Sequence, residues 1–173
     1  EIPLISVLGE MELAGVKIDE SSLKKLLAQV NKEISGLEMK IYKMAGAEFN
    51  ISSPQQLGEI LFNRLKIKGR VRRTGGGALS TAAAELDKLY DKHTIIELIL
   101  RHRELQKLKN TYIDPFPTLI AKDNRLHTSY IQTATVTGRL SSQNPNLQNI
   151  PIRTELGLKF RKAFTAEKGF KIV

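Results

Sequence analysis

The stretch Ser21-Ser22-Leu23-Lys24-Lys25-Leu26-Leu27-Ala28-Gln29-Val30-Asn31-Lys32-Glu33-Ile34-Ser35-Gly36-Leu37-Glu38-Met39-Lys40-Ile41-Tyr42-Lys43-Met44-Ala45-Gly46 decides the fold. Leu23, Leu26, Leu27, Val30, Ile34, Leu37, Ile41 and Met44 recur at three- and four-residue spacing, the period of an amphipathic helix. Asp19 or Ser21 can cap its start, and Gly46 ends it. A long helix with one apolar stripe needs another apolar surface to lie against. The chain offers one at Ile95, Ile96, Leu98, Ile99, Leu105 and Leu108. This second long helix is expected to be capped by Thr94, to end near Tyr112 and to be broken by Pro115 and Pro117. The two helices are expected to run antiparallel, with residues 47–93 closing one end as a basic tip.

Working outward, an apolar helix is predicted from Pro3 to Leu13, followed by a turn and a short extended segment over Gly15-Val16-Lys17-Ile18-Asp19. Ser53 as N-cap with Pro54 at the first helical position starts a short helix through Leu57, Ile60, Leu61 and Leu65. Residues 66–80 are basic and glycine-rich and read as a mobile loop. Ser80 or Thr81 is expected to cap a helix from Ala82 to Tyr90. Beyond Asn124 the character changes. Leu126 to Thr133 reads as a strand, Glu155 to Phe160 as a short helix, and Arg161–Ala166 with Phe170–Val173 as a hairpin about Glu167-Lys168-Gly169. The fold class is mainly α with a small β portion (α+β).

Charge narrows the partners. The 27 Lys+Arg against 18 Asp+Glu give a net charge of +9, which on a soluble domain favours a polyanion, nucleic acid or an anionic membrane. No apolar run approaches the roughly 20 residues that span a bilayer. The N-terminus carries no basic-then-apolar signal pattern. The absence of cysteine removes disulfides, thiolate zinc sites and cysteine nucleophiles, and fits a reducing cytoplasm. His93, His102 and His127 lack metal-ligand spacing and read as ordinary histidines.

The run from Thr133 to Thr154 holds five amide side chains, two arginines and six hydroxyls, and no Asp or Glu lies between Asp123 and Glu155. Gly138 before Arg139 permits an unusual turn, and Arg139 offers a rigid fork of donors. Asn146 and Asn149 both donate and accept, so they can address the minor-groove acceptors common to all base pairs. The bland alternative is a loop satisfied by its own Asx and Ser turns; the number of donors favours binding. The basic loop is balanced between a phosphate-tracking arm and a solvated loop. It is not a Walker A loop, because Gly75-Gly76-Gly77-Ala78-Leu79-Ser80-Thr81 has no lysine before its hydroxyls. For Arg101, Arg103, Lys107 and Lys109 a solvated helix face is favoured, with Glu97–Arg101 and Glu104 to Lys107 or Arg101 as candidate ion pairs. No catalytic constellation emerges, since no carboxylates stand out as converging on a metal and no Gly-x-Ser-x-Gly elbow is present.

Thr135-Val136-Thr137-Gly138-Arg139-Leu140-Ser141-Ser142, continuing through Pro145-Asn146-Leu147-Gln148-Asn149-Ile150-Pro151-Ile152-Arg153-Thr154, closely resembles the signature of family A DNA polymerases. Pro3-Leu4 through Met11-Glu12, Gly15 to Asp19, Phe49 to Leu57, Arg103-Glu104-Leu105 and Lys107 to Tyr112 agree with it in order. The resemblance implies an N-terminal palm-associated segment over 1–19, a helical thumb over 20–115 that grips primer–template duplex, and part of an antiparallel palm sheet over 116–173. It implies that Arg139 hydrogen-bonds in the minor groove near the primer terminus and that Asn146, Gln148 and Asn149 lie along the duplex. Arg153 would contact the backbone. Asn50, Ser52 and Ser53, with Arg70, Arg72 and Arg73 of the basic loop, would touch phosphates, and Lys107, Asn110 and Thr111 would meet the duplex at the thumb base. The stretch 72–81 departs from the family in being longer and richer in glycine.

The resemblance also implies a parent enzyme that extends primers in replication and repair with Mg²⁺, in the bacterial cytoplasm at the nucleoid. Its first metal-binding aspartate would follow the strand matched by Phe170–Val173. The chain by itself is therefore expected to hold no catalytic residue or cofactor and to be inactive in polymerisation. Its expected partners are primer–template duplex and the remaining palm and fingers, with no membrane. Self-association through the C-terminal strand is a further expectation. A split enzyme, or a non-enzymatic helical domain that binds an acidic protein, are the alternatives.

Overall fold

A computed structural model describes residues 2–151 and 154–172. In chain order the elements are α1 (Ile2–Ala14), β1 (Val16–Ile18), α2 (Glu20–Ala45), α3 (Pro54–Gly58), α4 (Ala83–Leu86), α5 (Thr94–Leu108), α6 (Phe116–Leu119), β2 (Arg125–Leu126), β3 (Ser129–Ile131), β4 (Ser141–Gln143), α7 (Glu155–Arg161) and β5 (Phe164–Thr165). Wider π turns continue α3 over Glu59–Arg64 and α5 over Lys109–Ile113, and a 3₁₀ turn over Asp87–Leu89 continues α4. The chain is α+β, and it divides into two compact units, residues 30–107 and residues 1–29 with 108–173.

In the unit of residues 30–107, α2 contributes Val30, Ile34, Leu37, Ile41 and Ala45 to the core, each buried at the helical period. Ile95, Ile96, Ile99 and Leu105 of α5 are buried with them. An ion pair, Glu33–Arg101 at 2.8 Å, and a hydrogen-bond contact between His102 Nε2 and Glu38 Oε1 at 3.2 Å join the helices. Gly46 takes φ +70° and donates to Tyr42 O, ending α2 where a side chain would be strained. Ser53 caps α3 by accepting from Gln56 N, with Pro54 behind it.

Two caps differ from expectation. His93, not Thr94, caps α5: its Nδ1 accepts from Ile95 N at 3.1 Å and its carbonyl from Ile96 N at 3.0 Å. Ala82 precedes α4 with no side-chain cap; Ser80 Oγ instead accepts from Ala82 N, and Thr81 is buried. The segment 66–80, expected to be irregular, contains a hydrogen-bonded hairpin. Arg73 and Leu79 bridge, Ser80 N donates to Arg72 O, Thr74 N to Ala78 O, and Gly77 (φ +83°) turns the tip.

The other unit holds a three-stranded antiparallel sheet in the order β2-β1-β5, with Val16 opposite Leu126 and Ile18 opposite Phe164. A second ribbon pairs β3 with β4, Tyr130 opposite Ser142. The expected single strand from Leu126 to Thr133 is therefore two, interrupted at His127 and Thr128. Thr128 Oγ1 turns inward, 2.8 Å from Pro145 O and 3.0 Å from Gln143 O. Beside the sheet, Tyr112, Phe116, Phe160 and Phe164 pack edge-on or tilted, with Phe116 and Phe160 centroids 5.2 Å apart. Burying a ring such as Phe160 contributes roughly 1.5–3 kcal/mol relative to exposure. Pro115 opens α6, after the π turn has ended α5 at Ile113.

The expected C-terminal hairpin does not form. Its turn is present, with Gly169 at φ +93° and Phe170 N donating to Glu167 O. However, β5 pairs with β1, and 170–172 form no strand; Val173 lies outside the described residues. Glu167 explains the choice: it pairs with Arg125 at 3.0 Å and Lys17 at 3.9 Å, tying the turn to β1 and β2. The exposed strand edge that motivated self-association is thus missing among the described residues.

Candidate nucleic-acid interface

The polar run is partly self-satisfied. Asn146 Oδ1 accepts from Gln148 N at 3.0 Å and Asn149 N at 3.3 Å, an Asx turn. Gln148 Nε2 donates to Leu140 O at 2.7 Å, and Ser142 Oγ accepts from Leu147 N at 3.0 Å. Thr135 Oγ1 donates to Arg139 O at 2.7 Å. These bonds fix the backbone and spend the oxygen of Asn146 and a donor of Gln148. They leave the guanidinium of Arg139 exposed with no hydrogen bond or ion pair among the described residues, after Gly138 at φ +73°. Asn146, Gln148 and Asn149 are exposed beside it in sequence. Arg153 lies outside the described residues.

The same unit presents Asn110 and Thr111. Both are exposed on the π turn Lys109–Ile113, whose extra residue buries Tyr112 and Ile113. The Tyr112 hydroxyl donates to Asn149 O, which ties this turn to the polar run. The resemblance implied duplex contacts at both places, and they share this bond. Lys109 is taken up by Asp114 at 2.5 Å.

In the unit of residues 30–107, Lys66, Lys68, Arg70, Arg72 and Arg73 are all exposed and no acid interrupts 66–80. Arg73 donates to Gly77 O at 2.6 Å, holding itself across its own hairpin. The turn before α3 uses Asn50 Oδ1 to accept from Ser52 N and Ser53 Oγ to accept from Gln56 N. Asn50 and Ser53 are thus structural as well as candidate contacts, while Ser52 is exposed. On α5, Arg101 is spent on Glu33 and Glu104, not on Glu97, and Arg103 donates to Thr81 O. Burial lowers the pKa of Arg103. The solvated-face reading therefore fits Lys107, which is exposed, but not Arg101 or Arg103, which do structural work.

Four further residues support the site without a binding role legible in the sequence: Tyr112, Thr128, Glu85 and His127. Glu85 is 7% exposed and accepts from Lys88 Nζ at 2.7 Å and Arg72 N at 2.9 Å. The Lys88 hydrogen bond, then that from Arg72, hold its carboxyl below the usual range. His127 links Glu12 O (2.7 Å) to Asp123 Oδ2 (3.0 Å). The bond to Glu12 O, then that to Asp123, raise its pKa.

Among the described residues, no group of three or more His, Cys, Asp or Glu side chains could hold a metal ion. No helix among them is long and apolar enough to cross a membrane.

DNA polymerase family A matches residues 20–173. The chain is 48% identical over 174 residues to a thermostable DNA polymerase I of Thermus thermophilus and 49% identical to that of Thermus aquaticus. It is 48% identical to DNA polymerase I of Deinococcus radiodurans. All of this chain is covered each time, but only 21%, 21% and 18% of those proteins. It spans about a fifth of the length of the curated relatives it matches. Among solved structures, the POL domain of Pol1 from M. smegmatis in complex with DNA primer-template and dNTP superposes with a TM-score of 0.87 at 37% identity. That match covers 98% of this chain and 30% of the other. The polar run around Arg139, the basic hairpin and the α+β frame that carries them belong to a member of DNA polymerase family A.

Proposed function

We propose that this chain is the duplex-gripping part of a DNA-directed DNA polymerase, with a thumb over 20–115 and palm elements over 1–19 and 116–173. It binds primer–template through phosphates and the minor groove. The observation that supports this reading is the exposed guanidinium of Arg139, without a hydrogen bond or ion pair among the described residues, in a loop where the carbonyls of Arg139 and Leu140 are taken up by Thr135 and Gln148. A fixed fork of donors suits acceptors shared by all correct base pairs, so it tests pair shape without reading sequence. Asn146 Nδ2, Asn149 and the free amide hydrogen of Gln148 extend the same donor surface. Arg70, Arg72, Arg73, Ser52 and Asn50 supply phosphate contacts on the other unit, with Lys107, Asn110 and Thr111 as further contacts and Arg153 by resemblance alone.

The whole protein performs template-directed nucleotidyl transfer in DNA replication and repair, in the bacterial cytoplasm at the nucleoid. Its chemistry would use Mg²⁺ held by carboxylates; among the described residues here no group of three or more His, Cys, Asp or Glu could hold a metal, and the polypeptide 1–173 is proposed to bind duplex without extending it. The remaining palm and fingers are its other partner. A fluorescence titration with labelled duplex at two salt concentrations tests the reading. Binding at low salt that weakens steeply at high salt is expected. No binding at low salt overturns it and favours a helical domain for an acidic protein. Mg²⁺-dependent primer extension by this polypeptide overturns the assignment of the chemistry elsewhere.

A further inference from the structure

The hairpin that carries Arg72 and Arg73, with Arg70 just before it, is anchored on both sides of its stem by buried or half-buried charged side chains. Glu85, on α4, accepts the backbone N–H of Arg72 at 2.9 Å. Across the stem, Ser80 N donates to Arg72 O at 2.8 Å, and the adjoining Thr81 carbonyl accepts from Arg103 of α5. Glu85 is 7% exposed, and Lys88 satisfies its second oxygen at 2.7 Å. A buried carboxylate is costly unless its hydrogen bonds are made, so a backbone N–H fixed at this point is a strong positional constraint. The acid sits beside a cationic segment, and its hydrogen-bond partners are the Arg72 backbone N–H and Lys88 rather than an arginine side chain.

We infer that Glu85 is a positioning residue for DNA binding: it clamps the stem at Arg72 so that the arginines of the 70–73 segment meet duplex phosphates as a preformed array. This rests on the duplex-binding reading. A preformed array loses less freedom on binding than a loose loop, so its loss weakens affinity without deleting a contacting charge. The glycine-rich tip, Gly75-Gly76-Gly77, makes the constraint matter, because its backbone freedom must be held at the stem.

A double-mutant cycle tests this on the 173-residue chain with a labelled duplex over a salt series. Glu85→Ala is expected to weaken binding by roughly fivefold and to make the salt slope shallower by about one, with the Ser80 amide exchanging faster. In a background of Arg70→Ala, Arg72→Ala and Arg73→Ala, Glu85→Ala is expected to have no further effect on affinity. The same fivefold loss in that background overturns the inference, as does unchanged affinity in the single variant. Should circular dichroism show that Glu85→Ala is unfolded, Glu85→Gln carries the cycle. It keeps an oxygen for the Arg72 N–H but loses the charge, and is expected to move affinity the same way by about twofold. Wild-type chain that fails to bind duplex at low salt sinks the duplex reading itself, a result distinct from any difference between variants.

Discussion

Arg139 is exposed, and its carbonyl and that of Leu140 accept from Thr135 and Gln148, which leaves its side chain available to a partner. Replacing it with alanine is expected to weaken primer–template binding by about tenfold, in the range of one good bidentate groove contact. Arg139→Lys restores the charge but not the planar fork, and is expected to recover little of the loss in the same titration. Two other residues contribute to the pH response. The hydrogen bond from the Ser22 hydroxyl, then those of Ser21, hold Asp19 at about 2 against an ordinary 3.8. A depressed carboxylate stabilises the fold above its unfolded value, and that share is lost as pH falls from near 4 towards 2. His127 is shifted upward from 6.5, so its share is complete below that value and is lost as pH rises through the raised one. Asp19→Asn is expected to flatten the acid limb of a thermal-midpoint against pH curve, and His127→Gln the limb above pH 6.5. An unchanged limb in either variant rejects the assignment.

The elements show what local signals can and cannot specify. Helical periodicity placed α2 and α5 because their buried residues fall on the 3.6-residue repeat. The cap of α5 was misread because hydroxyls rank above imidazole as helix starters, whereas here His93 Nδ1 reaches Ile95 N. The turn at Gly169 was legible, but the partner of β5 was not: Lys17 opposite Thr165 is a pairing across most of the chain, and only a folded sheet reveals it. Two contacts that hold the polar run to its frame share that hidden character. Tyr112→Phe keeps the ring against Phe116 and Phe160 but removes the donor to Asn149 O. It is expected to cost roughly 0.5–1.5 kcal/mol in denaturant unfolding. Gly157 lies under Pro151, where an added Cβ would come within 2.5 Å of Pro151 O. Gly157→Ala is therefore expected to destabilise by about 1–3 kcal/mol, and a neutral result contradicts close packing of α7 beneath the end of the polar run.

For the whole molecule, the donor-rich run, the basic character of 66–80 and the family are legible in the sequence, because side-chain chemistry is written directly in the residues; the hairpin within 66–80 is not. Nor does the sequence reveal which donors the fold keeps for itself. Asn146, Asn50 and Ser53 spend their oxygens on turns, and Arg101 and Arg103 serve the core's edges, so the free surface is smaller than composition suggests. The central proposal is that the chain grips duplex beside a primer end, with Arg139 in the minor groove. Hydroxyl-radical footprinting on a primer–template tests it most directly. The expected result is protection of minor-groove sugars in the duplex next to the recessed primer 3′ end, lost with Arg139→Ala. Protection spread evenly along the duplex, or unchanged in that variant, would contradict it.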